Sequence, residues 1–274
     1  MRVVKQALAE DAPRGDVTTE LTVGQAARAV AVARLRGQGV VAGFGAFAAA
    51  FAATDRATRV AFEVDEGMWC APGTVVAVVR GRARGILTAE RVALNFMQRL
   101  SGVATATRRF VEKVSGTGVI ILDTRKTTPG LRILEKQAVV LGGGRNHRSN
   151  LSDLVLIKDN HIRAAGGLAR AVELARRARG TMPVEVEVDP DADLEELRDL
   201  PIDVLMFDNW PVRRLAAAIR TARRFPARPL IEVSGGVSLG TVRGLALCGP
   251  DFISVGSLTH SAPALDIGLD FEPA

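Results

Sequence analysis

Arg125 and Lys126 stand side by side in DTRKTTPGLR (123–132), directly after the apolar run TGVIIL. Two adjacent cations closing a strand, then two threonines and a turn at Pro129-Gly130, suit a strongly anionic ligand; alone they suit a solvated turn equally well. The rest of the second half decides between them. LVLIK (154–158) ends in Lys158-Asp159-Asn160-His161, and VEVEV (184–188) carries Glu185 and Glu187, two apart and so on one face. DVLMF (203–207) runs into Asp208-Asn209, PLIEV (229–233) into Ser234-Gly235-Gly236, and FISV (252–255) into Gly256-Ser257. The loop GGGRNHRSN (142–150) adds His147 and Arg148. Parallel βα folds put their active sites at the C-terminal ends of their strands, so polar endings repeated at one edge point to a site.

Each piece has a plain alternative. Lys126 alone is a solvated loop lysine, Glu187 an interior carboxylate paired with an arginine, and Gly142 to Gly144 a helix C-cap. Ser234-Gly235-Gly236 carries more, because glycines let backbone N–H groups approach a phosphate. Barrel phosphate sites use the loops after the last two strands, which here supply Gly235-Gly236 and Gly256. Together the residues imply a phosphate at one end of a pocket and Arg/Lys groups at the other, with Glu187 and Asp208 between. Carboxylates in so cationic a pocket are explained by ribose hydroxyls, or by Mg²⁺ carried on a pyrophosphate.

The elements that must position these residues are short apolar strands alternating with helical patterns after about residue 115, at 131–141, 166–179, 192–199, 211–224 and 238–247. Six or seven such units fall short of the eight of a full barrel. A doubly wound open sheet is the alternative; winding in one direction into a barrel fits the strand-end residues better. The first hundred residues read as α+β: a helix at 2–9, strands at 29–36, 58–64 and 74–80, and an Ala-rich helix at 43–54. A long helix is expected to start at a Thr88 N-cap and to break at Ser101-Gly102. The expected architecture is α/β, with an N-terminal α/β sandwich domain (1–103, joined by a strand-like tail, 264–274) and a C-terminal incomplete barrel of six or seven strands (104–263).

Composition narrows the class. The chain has 274 residues, 47% hydrophobic and 24% charged, as a globular domain pair would. Its longest apolar stretch, GVVAGFGAFAAAFAA (39–53), is too short and too rich in Gly and Ala to span a bilayer, so no membrane partner is expected. Cys70 and Cys248 lack metal-like spacing, and a cytoplasmic setting follows. The net charge of +6 suits acidic substrates or nucleic acid, but there is no Tyr and only 4% aromatics, so stacking platforms are scarce and no nucleic-acid partner is expected. Only five of the 36 basic residues are Lys, and two of those, Lys126 and Lys158, fall at strand ends.

The stretches DTRKTTPGLR, GGGRNHR, LIKDNHI, EVEVD, MFDN, EVSGG and SVGSLTHSAPALDIGLD, with ALAEDAPRGDVTTELT and ERVALNFMQRLSGVAT earlier, resemble the nicotinate-nucleotide pyrophosphorylase (carboxylating) family, the quinolinate phosphoribosyltransferases. The resemblance runs in order through nearly the whole chain. It implies a homodimer with shared sites, and transfer of phosphoribose from phosphoribosyl pyrophosphate to quinolinate with loss of CO₂, giving nicotinate mononucleotide and pyrophosphate, with Mg²⁺ as cofactor. It assigns quinolinate binding to Arg125, His147, Arg148 and Lys158, with Arg91 supplied by the partner subunit. Lys126, Glu187 and Asp208 match its catalytic, sugar, pyrophosphate and metal positions, and Thr124 belongs to the same strand end. Ser234, Gly235, Gly236, Val255, Gly256 and Ser257 match its 5′-phosphate loops. Ser149-Asn150 departs from the pattern, where a smaller or glycine-containing pair is expected.

The chemistry fits these residue types. Arg forks hold carboxylates, and quinolinate brings two. The pyridine nitrogen displaces pyrophosphate at ribose C1, where positioning and electrostatics supply the catalysis and no covalent nucleophile is needed. Loss of the C2 carboxylate then leaves a carbanion beside a positive nitrogen. Two rivals remain: a paralogous phosphoribosyltransferase-like protein of the molybdenum-uptake type, and a basic nucleic-acid-binding module. The intact Lys158-Asp159-Asn160-His161 stretch favours the quinolinate enzyme over the first.

Overall fold

The computed structural model describes residues 2–179 and 181–272. The chain forms two compact units: one from residues 1–108, 128–143 and 261–274, the other from 109–127 and 144–260.

In the first unit, four antiparallel strands lie in the order Ile267–Phe271, Arg28–Leu35, Val75–Arg82, Arg59–Phe62. The tail is a strand because it alternates apolar and polar residues, and it pairs Leu269 with Ala33. The helix Phe44–Thr54 buries Phe44, Phe47 and Phe51, spaced for one face, with Ala46 and Ala50. Phe44 stacks on Phe62 of the edge strand at 4.0 Å. Phe47 and Phe51 are fully buried, and each contributes about 2–3 kcal/mol of burial.

The long helix differs from the sequence expectation. It runs unbroken from Ala83 to Lys113. The Thr88 hydroxyl does not cap it but donates back to the Arg84 carbonyl at 2.9 Å, inside the helix. At the expected break, Ser101 Oγ accepts from the Ala42 N–H at 2.9 Å, and a Cβ on Gly102 would collide with the Pro263 carbonyl oxygen. Both residues serve packing, and tertiary contact overrides the local signal. Arg91 therefore lies in the third turn of this helix, exposed.

In the second unit, six parallel strands carry the site: Ile120–Leu122, Val155–Ile157, Val184–Val188, Val204–Asp208, Leu230–Ser234 and Phe252–Ser254. Each of the last four lies beside its predecessor in the chain, and the first pairs with the sixth, Ile121 opposite Ile253. That is winding in a single direction, as in a barrel; a doubly wound sheet reverses its order partway. No ladder joins the first strand to the second among the described residues, so the barrel is incomplete. The first strand's open edge is met instead by the loop before the second strand: Arg145 N–H donates to Ile121 O, and Asp123 N–H to Arg145 O.

Two helical expectations change here. Residues 192–199 form only a 3₁₀ turn, Leu194–Leu197, because Asp193 captures the Glu195 N–H and Pro201 follows closely. An additional helix, Asp159–Ala165, precedes Leu168–Arg179.

Candidate active site

The strand register builds the site. Glu187, Met206 and Glu232 are register partners across the third, fourth and fifth strands, and Asp208 and Ser234 form the next pair towards the C-terminal ends. All five line one cavity of about 470 Å³. Thr124, Arg125 and Lys126 from the first strand's end, His147 and Arg148 from the loop, Leu156 and Lys158 from the second strand, and Ser254 from the sixth complete its wall.

The loop backbones are tied down where the cations project. Lys126 N–H donates to Thr124 Oγ1 at 3.0 Å, and the Lys126 carbonyl accepts from the Thr259 hydroxyl at 2.8 Å. Gly256 leaves room for the lysine: a Cβ there would lie 3.2 Å from Lys126 Cδ and 3.1 Å from His260 Nε2. At the second strand's end, Lys158 N–H donates to His161 Nδ1 at 3.0 Å, so His161 holds the turn rather than a ligand. The Lys158 ammonium is paired with Glu187 Oε2. Arg148 Nη1 donates to Leu154 O at 3.2 Å. Burial and the neighbouring Arg125 charge both push the Arg148 guanidinium's pKa down. Crowded cations raise each other's free energy, and an anion between them relieves it.

The fourth and fifth strand ends press together. Asn209 N–H donates to Ser234 O at 2.9 Å, and Asn209 Nδ2 to Asp208 Oδ2 at 2.7 Å. Gly235, at φ +84°, is required: a side chain would overlap the Asn209 amide. Gly235 and Gly236 continue from Ser234, which lines the cavity, and Val255, Gly256 and Ser257 continue from Ser254, which also lines it. Val255 is buried and donates to Leu122 O, and Ser257 opens the short helix Ser257–His260. These glycine-bearing turns follow the cavity wall without lining it. Arg91 belongs to the first unit.

His147 and Glu232, both in the cavity wall, meet Glu185 in a buried cluster that residue-by-residue reading did not assemble. His147 is placed there because its N–H donates to Asp123 Oδ1 at 2.9 Å, and Asp123 is fully buried. His147 Nε2 lies 3.0 Å from Glu185 Oε2 and 3.6 Å from Glu232 Oε2. Glu185 and Glu232 are buried, at 1% and 2% exposure. Burial first, and then the Glu185 charge, push Glu232 up to about 8. Burial lowers the His147 pKa, and the hydrogen bond its ring donates to Glu185, with the Glu232 and Glu185 charges, outweighs it for a net rise. The signal for Glu232 was present: it precedes Ser234 by two in PLIEVS, on the same face, as one carboxylate in an apolar run.

The family model described as "Quinolinate phosphoribosyl transferase, N-terminal domain" matches residues 16–101, and its C-terminal counterpart matches 103–270. The chain is 40% identical over 273 residues to nicotinate-nucleotide pyrophosphorylase (carboxylating) of Mycobacterium leprae, covering 97% of this chain and 95% of that protein. Among solved structures, the nicotinate-nucleotide pyrophosphorylase of Francisella tularensis superposes with a TM-score of 0.93 at 36% identity, covering 99% of this chain and 95% of that one. The corresponding protein of Ehrlichia chaffeensis gives 0.93 at 35% identity, covering 99% and 98%.

Proposed function

The chain belongs to the quinolinate phosphoribosyl transferase family, and from that premise we propose that it transfers phosphoribose from phosphoribosyl pyrophosphate to quinolinate with loss of CO₂, giving nicotinate mononucleotide and pyrophosphate. The observation that carries the reading is the composition of one cavity: Arg125, Lys126, Arg148 and Lys158 in its wall with Glu187 and Asp208 beside them.

The residues divide the work by chemistry. Arg125 and Arg148 fork onto the adjacent carboxylates of quinolinate, with Lys158 and His147 completing that end and Arg91 supplied by the partner subunit of a homodimer. Thr124 and Lys126 hold the sugar–pyrophosphate side. The turns at Ser234, Gly235 and Gly236 and at Val255, Gly256 and Ser257 take the 5′-phosphate through backbone N–H groups. Glu187 and Asp208 face the ribose, where negative charge stabilises the oxocarbenium-like carbon as the ring nitrogen approaches. The pocket acts by orientation and field, and no side chain forms a bond to substrate.

Glu187 and Asp208 also fit Mg²⁺, being an oxygen-only pair on adjacent strands. Glu187 already holds Lys158, so the ion would be bound largely through pyrophosphate and water. When bound, it supplies positive charge to the departing pyrophosphate. A cytoplasmic location is part of the proposal, in keeping with free thiols at Cys70 and Cys248. Among the described residues no helix is long and apolar enough to cross a membrane.

The test is incubation with quinolinate, phosphoribosyl pyrophosphate and Mg²⁺, following CO₂ and nicotinate mononucleotide together. Transfer without CO₂, or no transfer at all, would rule this reading out.

A further inference from the structure

The chain leaves Lys126 by a turn that folds it back onto a buried carboxylate. Leu131 N–H donates to Thr128 O at 3.0 Å, with Pro129 and Gly130 between them and Gly130 at φ +79°, the glycine position of a type II turn. The turn sets Thr128 against Glu135, in the first turn of the helix Arg132–Leu141. Glu135 is fully buried. Its Oε2 accepts from Thr128 N–H at 3.0 Å, and its Oε1 accepts from the Thr128 hydroxyl at 2.8 Å. Arg99 supplies the countercharge, donating to Oε1 from Nη2 at 2.8 Å and from Nε at 3.1 Å. Arg99 Nη1 donates to Ala262 O at 2.8 Å, two residues beyond the short helix Ser257–His260.

The plain reading is an ion pair that stabilises the fold. Buried ion pairs are often no more stabilising than apolar side chains of the same volume, because both charges lose their water. This pair does what apolar side chains could not, which is to hold backbone. The carboxylate takes the Thr128 peptide N–H, and the guanidinium takes the Ala262 carbonyl. Thr128 lies two residues past Lys126, and Ala262 five residues past Ser257.

The loop before Thr128 is itself tied down. Thr127 N–H donates to Arg125 O at 2.9 Å, Lys126 N–H to Thr124 Oγ1 at 3.0 Å, and the Thr259 hydroxyl to Lys126 O at 2.8 Å. The two loops are therefore joined twice, once by Thr259 at Lys126 and once through Ala262, Arg99, Glu135 and Thr128. One loop carries Lys126, proposed for the sugar–pyrophosphate side. The other follows Gly256 and Ser257, proposed for the 5′-phosphate. Those groups are opposite ends of one substrate.

We propose that Glu135, with Arg99, is a positioning residue for phosphoribosyl pyrophosphate: the pair sets the spacing between the Arg125-Lys126 loop and the turn at Val255 to Ser257, so that one molecule engages both. It touches no substrate and acts through Thr128 and Ala262. Two ends of one molecule bind better together than apart only when their two sites are held at the matching distance. The inference rests on the proposed function, and the test separates the two.

The experiment is calorimetry of the full chain with phosphoribosyl pyrophosphate and with its two halves, ribose 5-phosphate and pyrophosphate, each with Mg²⁺. Glu135→Gln sets an amide N–H against a donor in either orientation of the amide, because Arg99 and the Thr128 N–H both donate. The variant should bind each half within about threefold of wild type and the whole molecule at least about tenfold more weakly. Equal weakening towards all three ligands means a purely structural role and overturns the proposal, as does an unchanged affinity for the whole molecule. Thr128→Val removes the hydroxyl bond to Glu135, and Thr128→Ser keeps it. The valine variant should bind the whole molecule at least about threefold more weakly than the serine variant. If Glu135→Gln does not fold, this pair decides, and equal affinities in the two overturn the inference. Wild type that does not bind phosphoribosyl pyrophosphate means that the proposed function has failed, and this inference fails with it.

Discussion

Glu185 and Glu232 approach the same nitrogen of His147, at 3.0 and 3.6 Å, from the third and fifth strands of the barrel. The pair ties stability to pH independently of any activity. The folded state raises Glu232 from 4.5 to about 8, so it prefers the protonated carboxyl that the unfolded chain loses earlier. That contribution is fully present below about pH 4.5 and is lost as pH rises through about 8, an effect of at most about 5 kcal/mol. Glu232→Gln keeps a neutral side chain at every pH and should flatten this slope. Urea midpoints at pH 5 and pH 9 check it: the variant should gain on wild type at pH 9. An unchanged difference between the two pH values would mean that Glu232 ionises normally.

Glycine in a helix interior ordinarily gives way to alanine with a gain of about 1 kcal/mol. Gly102 should do the reverse, because its Cβ position is occupied by the Pro263 carbonyl oxygen. Gly102→Ala is expected to cost about 2 kcal/mol or more, by displacing backbone. Gly45, in the helix Phe44–Thr54, has open space at its Cβ, and Gly45→Ala should gain about 0.5–1 kcal/mol. Equilibrium denaturation of the two variants gives opposite signs if the packing argument holds.

The Gly102 case also shows where sequence reading stopped. Thr88 and Ser101-Gly102 carry cap and break signals whose meaning is local, and the helix ran through both because distant residues claimed them. The six barrel strands were legible, since short apolar runs with polar endings need no distant information. The cations and carboxylates of the cavity were legible for the same reason: Thr124 to Lys126, Lys158, Glu187, Asp208 and Ser234 all sit on or just past strand ends. The Lys158–Glu187 pair and the His147 cluster were not, because both depend on register between strands and on how the loop at Arg145 meets the first strand.

Lys126 distinguishes a ligand residue from a structural one. Its backbone is held by Thr124 and Thr259, and those bonds survive any side-chain change. The side chain is exposed and lines the cavity. Lys126→Met should leave stability within about 0.5 kcal/mol of wild type. Turnover should drop at least about 100-fold, as expected when a charge facing the transferring group is lost. Thermal melts and steady-state rates measure both, and near-normal turnover would return Lys126 to the solvated-turn reading.

The assignment of Arg91 to the partner subunit's site makes the last prediction. As a surface arginine on the helix Ala83–Lys113 it would be worth under about 1 kcal/mol. As part of a quinolinate clamp it is indispensable. Arg91→Ala and Arg148→Ala homodimers should then both be nearly inactive. In a twofold dimer each site takes Arg91 from one chain and Arg148 from the other. Unfolding and refolding the two variants together places both lesions in one site of each mixed dimer and leaves the other site whole. Random pairing makes about half the dimers mixed, with one working site in each, so activity should recover to roughly a quarter of wild type. Subunit exchange is verified by tagging one variant and recovering the other with it. Mixed dimers that form and stay inactive would place both arginines in one chain's site and end the shared-site proposal.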